Sequence, residues 1–258
     1  VWVLAMVTQF FGNTLALLQH NVKRVLAYSS IAHSGYMMVG LVAGPGLSAE
    51  QPIFLRNGVG AILFYLVAYG VMNLGAFAVL GVLKRRGEEA ETFDDLKGLV
   101  RRAPGLAVVM AVCVFGLAGM PPLIGFWGKL YLIGAAVSAG HIVLAVLLVI
   151  ASAIAAVYYL RIVAACFLAE PVEGVERGRL PWRGLGAAIA AIAVVVLSIV
   201  VGPLSQGARE AGRQVIIERP AADREWTEGR RDDTATSAAL PETTRRSPRD
   251  GTETTGGG

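Results

Sequence analysis

Apolar residues gather into six long runs along the chain, at about 1–18, 25–43, 58–83, 103–137, 141–168 and 184–204. A helix needs roughly 20 apolar residues to cross the roughly 30 Å hydrocarbon core of a bilayer. The pattern therefore predicts an all-α polytopic membrane protein with about six transmembrane helices. The fourth run is too long for this. Unbroken, it would reach roughly 50 Å at the helical rise of about 1.5 Å per residue. Pro121-Pro122 supplies an interruption, because each proline removes a backbone donor and clashes with the preceding turn. Gly119, Gly125 and Gly128 leave the backbone around the break loose and allow close approach. The sixth run is almost pure Ala, Ile and Val over Leu185–Val201, with Ser198 its one polar side chain, and reads as a lipid-facing peripheral helix. From Arg209 onward the chain is rich in Arg, Glu, Asp, Thr, Gly and Pro, with almost no apolar residue after Ile217. Such a stretch buries too little surface to offset its ordering entropy. The division expected is a transmembrane bundle over 1–205 and a disordered polar tail over 206–258.

Composition agrees, with 55% hydrophobic residues and a mean hydropathy of +0.58. The net charge of +4 does not point to nucleic acid, because the basic residues sit between apolar runs. There they report orientation, since cytoplasmic loops carry the excess of Lys and Arg. Lys23 and Arg24 follow run one. Lys84, Arg85, Arg86, Lys97, Arg101 and Arg102 follow run three. Arg177, Arg179 and Arg183 follow run five, with Arg161 near the end of its helix, whereas loops 44–57 and 138–140 hold only Arg56. Loops one, three and five are expected on the cytoplasmic side. Loop three also holds Glu88, Glu89, Glu91, Asp94 and Asp95, and its Thr92-Phe-Asp-Asp95 resembles a capping box. A short amphipathic turn on the membrane surface is expected there. Cys113 and Cys166 lie inside apolar runs without metal-type neighbours and read as buried thiols. The chain opens at Val1 inside an apolar run, without a signal peptide or an initiator methionine, so a segment of a longer chain is expected.

Two polar positions within the runs could carry chemistry. Lys129 lies seven residues past Pro122, with no other Asp, Glu, Lys or Arg between Arg102 and Arg161. An ammonium in such a run costs about 2.5–3.5 kcal/mol on insertion scales. An ionisable group beside a broken helix is by default a site for moving ions or protons. The alternative is a lysine that snorkels to an interface. His33 shares a helix face with Ser29, Ser30 and Tyr36, a stripe able to hold water beside a group that can relay protons near neutral pH. The alternative is a histidine bonded to a neighbouring helix. Lys23, at the membrane edge, reads more simply as a topology anchor than as a relay. Thr8, Gln9 and Asn13, and Tyr65, Tyr69 and Asn73, read as helix-to-helix hydrogen-bonding groups. Tyr158, Tyr159 and Arg161 suit an interface, with a channel-facing tyrosine as the alternative. No GxxxxGK[ST], GxGxxG, HExxH or paired-cysteine motif is present, so nucleotide, flavin and iron–sulfur chemistry are not expected in this chain.

The stretch Asn21-Val-Lys-Arg-Val-Leu-Ala-Tyr-Ser-Ser-Ile-Ala-His-Ser-Gly-Tyr36 resembles a signature of the antiporter-like subunits of respiratory complex I. Leu117-Ala-Gly-Met-Pro-Pro-Leu-Ile-Gly-Phe-Trp-Gly-Lys129 resembles the broken-helix signature of the subunit N branch of that family, and Val157-Tyr-Tyr-Leu-Arg161 fits as well. The resemblance covers about 1–205. It implies the last six of fourteen transmembrane helices, including the second of two inverted repeats. It implies that Lys129 lies on a proton channel and His33 on a central hydrated axis. From the residue pattern, Ser29, Ser30, Tyr36, Lys23, Pro121 and Pro122 are expected in support. The implied function is a proton-translocating membrane subunit of a bacterial NADH–quinone oxidoreductase, multi-pass in the inner (plasma) membrane. Its partners would be the bilayer and other membrane subunits of the complex, with no nucleic acid. NADH, FMN, iron–sulfur clusters and quinone would belong to other subunits, and neither cofactor nor metal to this chain. The alternatives are a subunit of a multi-subunit cation/proton antiporter or a membrane-bound hydrogenase, or a scaffold that does not pump.

Overall fold

The computed structural model describes residues 1–44, 57–85, 88–172, 175–177 and 181–217. Arg56, Arg86, Arg179 and the tail over 218–258 lie outside the described residues.

Among the described residues, three helices are long and apolar enough to cross a membrane: α2 (Val22–Ala43), α3 (Gly58–Val82) and α8 (Ile142–Phe167). Asn21 and Asn57 open α2 and α3. The side chain of Asn21 accepts from Arg24 N–H at 3.1 Å, and that of Asn57 from Gly60 N–H at 2.9 Å. Each takes up a donor that a helix start leaves unpaired. α1 (Trp2–Leu17) is shorter and lies along α2. Its last turn is closed from outside, because Arg161 Nη1 donates to Leu17 O at 2.8 Å.

The fourth run divides as its prolines require. α6 (Pro104–Ala118) begins with a proline in its first turn and ends at Gly119, and α7 (Ile124–Ser138) resumes after the break. The sixth run departs from expectation. α9 (Pro181–Ile199) stops short of 204, and α10 (Val201–Ile217) follows it. The segments Gly184–Ile199 and Val201–Ala208 meet at 86°. Helix thus continues to Ile217, where a disordered tail from 206 was expected. α9 is also not wholly peripheral, since Ala187, Ala190 and Val194 are buried while Leu185, Ile189 and Ile192 face outward. It packs on α3 and α6. Outward apolar faces recur on α8, where Val143, Val146, Ile150 and Val157 are exposed at helical spacing. Such surface suits lipid and would be an aggregation liability in water.

At one end of the bundle the three basic loops meet. Lys23 pairs with Glu89 at 2.5 Å and Glu91 at 2.9 Å, and Val22 N–H donates to Glu91 O at 2.6 Å. The Lys23 bonds hold the Glu91 carboxyl below its ordinary range. The turn expected in loop three is two short helices, α4 (Phe93–Leu96) and α5 (Leu99–Arg102). A small sheet, which the sequence reading did not foresee, joins loops three and five. β1 (Leu83–Arg85) pairs antiparallel with β2 (Glu88–Glu89) and with β3 (Val175–Arg177), in the order β2-β1-β3. Arg101 bridges to Glu170. Arg102 donates to the carbonyls of Asp95, Lys97 and Val172.

Asp95 centres this cap. One carboxylate oxygen accepts from the N–H groups of Glu91 and Thr92 and from the Thr92 hydroxyl, at 2.8–2.9 Å. The other accepts from Arg85 at 3.0 Å. Burial pushes the Asp95 carboxyl up, but the Thr92, Glu91 and Arg85 bonds outweigh it and hold it below its ordinary value. A depressed carboxyl contributes stability that is present above the unfolded-state pKa of about 3.9 and is lost as pH falls through the folded value. Asp95→Asn is expected to destabilise the protein by about 1–3 kcal/mol at neutral pH, because donors lose a charged acceptor. It should also remove part of the acid-induced loss below about pH 4. Unfolding followed in detergent across pH checks both.

Candidate functional site

Gly119 sits at φ +85°, in the left-handed region that ends many helices. Its N–H donates to Gly116 O at 2.9 Å, and the N–H of Met120 donates to Phe115 O at 3.1 Å. This reciprocal pair satisfies two of the four carbonyls that a helix end leaves open. Lys129 satisfies the other two. Its Nζ donates to Leu117 O at 3.1 Å and Ala118 O at 2.9 Å. The residue is 6% exposed, and its Nζ lies 5.3 Å from the centroid of the Tyr36 ring. The side chain therefore turns inward to the break and does not snorkel. The C-terminal end of α6 carries the negative end of the helix dipole, which favours a cation there. No carboxylate contacts the ammonium among the described residues.

The opposite side of the break is held by α9. The Oγ of Ser198 accepts from Ile124 N–H at 2.8 Å and donates to Val194 O at 2.6 Å. Leu123, the residue before α7, has no side chain that could do this. Ser198→Ala is expected to destabilise the bundle by about 1 kcal/mol, the usual cost of a lost cap, with Ser198→Thr closer to wild type. Thermal unfolding in detergent measures the difference. Pro121 and Pro122 are exposed at the break.

His33 is fully buried among aromatic rings. Its Nε2 is 3.0 Å from the Tyr159 hydroxyl and its Nδ1 is 2.8 Å from the Tyr65 hydroxyl. The Tyr159 hydroxyl also makes a short bond to Ser29. The Tyr69 hydroxyl donates to Ser30 Oγ at 2.6 Å, and Ser30 donates to Leu26 O at 3.0 Å. The ring of Tyr36 neighbours both candidates, its centroid 5.2 Å from that of His33 and 5.3 Å from Lys129 Nζ. Its hydroxyl accepts from Asn13 Nδ2 at 2.8 Å. Asn13 also donates to Ala151 O at 3.0 Å and accepts from Tyr158 at 3.0 Å, tying α1, α2 and α8 together.

The structure thus brings Ser29, His33 and Tyr36 into one polar core, with Lys129 against its edge. Ser30 joins it through Tyr69. Lys23 does not join, being held by Glu89 and Glu91 at the bundle end. Tyr158 and Tyr159 were expected at an interface and are instead fully buried. α8 continues to Phe167, so both lie well inside the helix. Gln9, expected to bond between helices, is buried with neither amide atom paired among the described residues. Sequence reading also missed the Ser198 cap and the joining of Tyr65 and Tyr159 at one histidine. The only signal for Tyr65 and Tyr69 was their spacing of four along one helix face.

Comparison with known proteins gives a consistent result. The family model described as NADH:quinone oxidoreductase/Mrp antiporter, TM, matches residues 1–155. NADH-quinone oxidoreductase subunit N 2 of Roseiflexus castenholzii is 49% identical over 203 residues, covering 78% of this chain and 40% of that protein. Subunit N of Paramagnetospirillum magneticum is 39% identical over 222 residues, covering 86% and 43%. The chain thus spans about two fifths of the length of these curated relatives. A chain of respiratory complex I from Thermus thermophilus with bound Aureothin superposes with a TM-score of 0.68 at 34% identity, covering 80% of this chain and 44% of that one. A chain of the Mrp complex from a Dietzia species reaches the same TM-score of 0.68 at 22% identity, covering 82% and 46%, a likeness of fold alone.

Proposed function

This chain belongs to the NADH:quinone oxidoreductase/Mrp antiporter transmembrane family, and we propose that it is part of a proton-translocating membrane subunit of a bacterial NADH–quinone oxidoreductase. The observation that carries the proposal is the Lys129 ammonium, buried on the two remaining carbonyls of a broken transmembrane helix. A fixed ammonium in lipid costs several kcal/mol, and here the helix end offsets part of that cost. Protonated, Lys129 joins the halves of the break. Neutral, it loses the charge that draws it to the end of α6. Gain and loss of one proton are thereby coupled to how tightly α6 and α7 are held. Pro121, Pro122 and Gly119 make the break, Ser198 holds its far side, and Tyr36 neighbours both the ammonium and His33.

In this reading electrons never enter the chain. NADH, FMN, iron–sulfur clusters and quinone are handled by other subunits, and quinone reduction there changes the charge that Lys129 feels. The partners are the other membrane subunits, in the inner (plasma) membrane. The family also takes in Mrp antiporters, which keeps cation/proton antiport as the second reading. Inverted membrane vesicles separate the two. The proposal expects NADH-driven acidification that requires the chain carrying this segment and is abolished by a protonophore. Sodium-dependent proton exchange without NADH would favour the antiporter.

A further inference from the structure

We propose that Tyr65 and Tyr159 are relay residues, the two hydroxyls that pass a proton through both ring nitrogens of His33 without charging it. The inference rests on the proton-translocating reading above and adds a route to it.

The argument is one of donors and acceptors. A neutral imidazole has one N–H and one bare nitrogen. Both nitrogens of His33 meet a tyrosine hydroxyl, at 2.8 Å from Tyr65 on α3 and 3.0 Å from Tyr159 on α8. One tyrosine must then donate and the other accept. Tyr159 is further bonded to Ser29. Ser29, Tyr159, His33 and Tyr65 therefore form one directed chain with two matching arrangements. In one, Ser29 donates to Tyr159, Tyr159 to Nε2, and Nδ1–H to Tyr65. In the other, every bond runs backwards. An imidazolium fits less well. With N–H on both nitrogens, both tyrosines must accept, and the hydroxyl protons at both ends of the chain need new acceptors at once. The surroundings enforce the geometry, since Ser29, Tyr65, Tyr159 and His33 are all fully buried.

The step balances with no oxidant or reductant. A proton from water at the Ser29 end protonates Ser29 Oγ as Ser29 gives its own proton to Tyr159. Tyr159 gives its proton to Nε2, and Nδ1 releases its proton to Tyr65, which passes the one it held to a water beyond its hydroxyl. One proton has entered, one has left, and no net charge remains. His33 has exchanged tautomers, and a second proton follows in the same direction only after the hydroxyls have turned and the imidazole has regained its first tautomer by a path other than this hydrogen-bonded chain. The Tyr65 ring packs on the helix that follows the break. Gly128, the residue before Lys129, faces the Tyr65 ring so closely that an added Cβ would lie 2.5 Å from Cδ2.

The test uses the intact complex, with Tyr65→Phe and Tyr159→Phe in the full subunit, beside Lys129→Ala. Phenylalanine keeps the ring and removes only the hydroxyl. Positioned proton transfer contributes about 10²–10⁴-fold. Since water partly replaces a missing hydroxyl, each variant should pump about tenfold more slowly per electron delivered to quinone, with an altered solvent deuterium isotope effect. Electron transfer to an artificial acceptor should stay unchanged. A structural role alone would lower assembly and leave the isotope effect of the assembled fraction as in wild type. That result, or wild-type pumping in both variants while Lys129→Ala fails to pump, would overturn the tyrosine relay alone. Wild-type pumping in Lys129→Ala would overturn the reading beneath it. If either phenylalanine variant does not assemble, the isotope effect is read on Ser29→Ala, where an unaltered value contradicts the chain.

Discussion

Gly125→Ala should prevent the two halves of the broken helix from meeting and sharply reduce the assembled subunit. A Cβ on Gly125 would stand 1.9 Å from the carbonyl oxygen of Gly116 and 2.8 Å from its carbon. Those are backbone atoms inside α6, so no side-chain rotation relieves the clash. Overpacking of a well-packed site typically costs about 1–3 kcal/mol. Here the rigid partner puts the expected cost at or above the top of that range, about 3 kcal/mol. The loss reaches function as well. Separating α7 from α6 carries Lys129 away from the carbonyls of Leu117 and Ala118. Gly70→Ala is the matched control. An added Cβ at Gly70 meets nothing within 4 Å, and alanine in a helix interior is favoured over glycine by about 1 kcal/mol. Thermal unfolding in detergent should show a large drop for Gly125→Ala and none for Gly70→Ala. Equal stability of the two would remove the argument that contact at this point shapes the break.

Much of this architecture is legible from apolar run length and proline. α2, α3 and α8 lie within two or three residues of the runs that predict them, because the burial pattern and the capping asparagines act locally. Pro121-Pro122 marks the break for the same reason. The sixth run shows the limit of counting. Its apolar tally continues past Ile199, but Gly202-Pro203 at the start of α10 is the sign of a helix beginning anew. The polar composition of the stretch after 205 then hides Ala208, which sits four residues past Leu204 and packs with it against the core. The three short strands are two or three residues long and mostly charged, too brief for a periodic signal. They form because loops three and five are brought side by side by helices far apart in sequence.

The site divides in the same way. Lys129 and His33 stand out because a charge and an imidazole are rare in apolar runs. Their partners do not stand out. Two of the groups that hold Lys129 are backbone carbonyls, which look alike in every sequence. Tyr159 was placed at an interface because aromatic pairs favour helix ends, but its helix runs on for another two turns. Ser198 was one hydroxyl in a lipid-like segment, and only the packing of α9 gives it a purpose. Helix-to-helix polar contacts such as these depend on rotation about each helix axis, which run length leaves open.

The most direct measurement is the number of protons translocated per electron by the intact complex carrying Lys129→Ala, compared with Lys129→Arg. Alanine removes both the proton carrier and the cap on α6. Arginine can keep the cation at the break but does not deprotonate in proteins. The account predicts that both lose the share of translocation that passes through this subunit, with its rate down at least about tenfold, while quinone reduction continues and the arginine variant assembles. An unchanged proton-to-electron ratio in either assembled variant would contradict it.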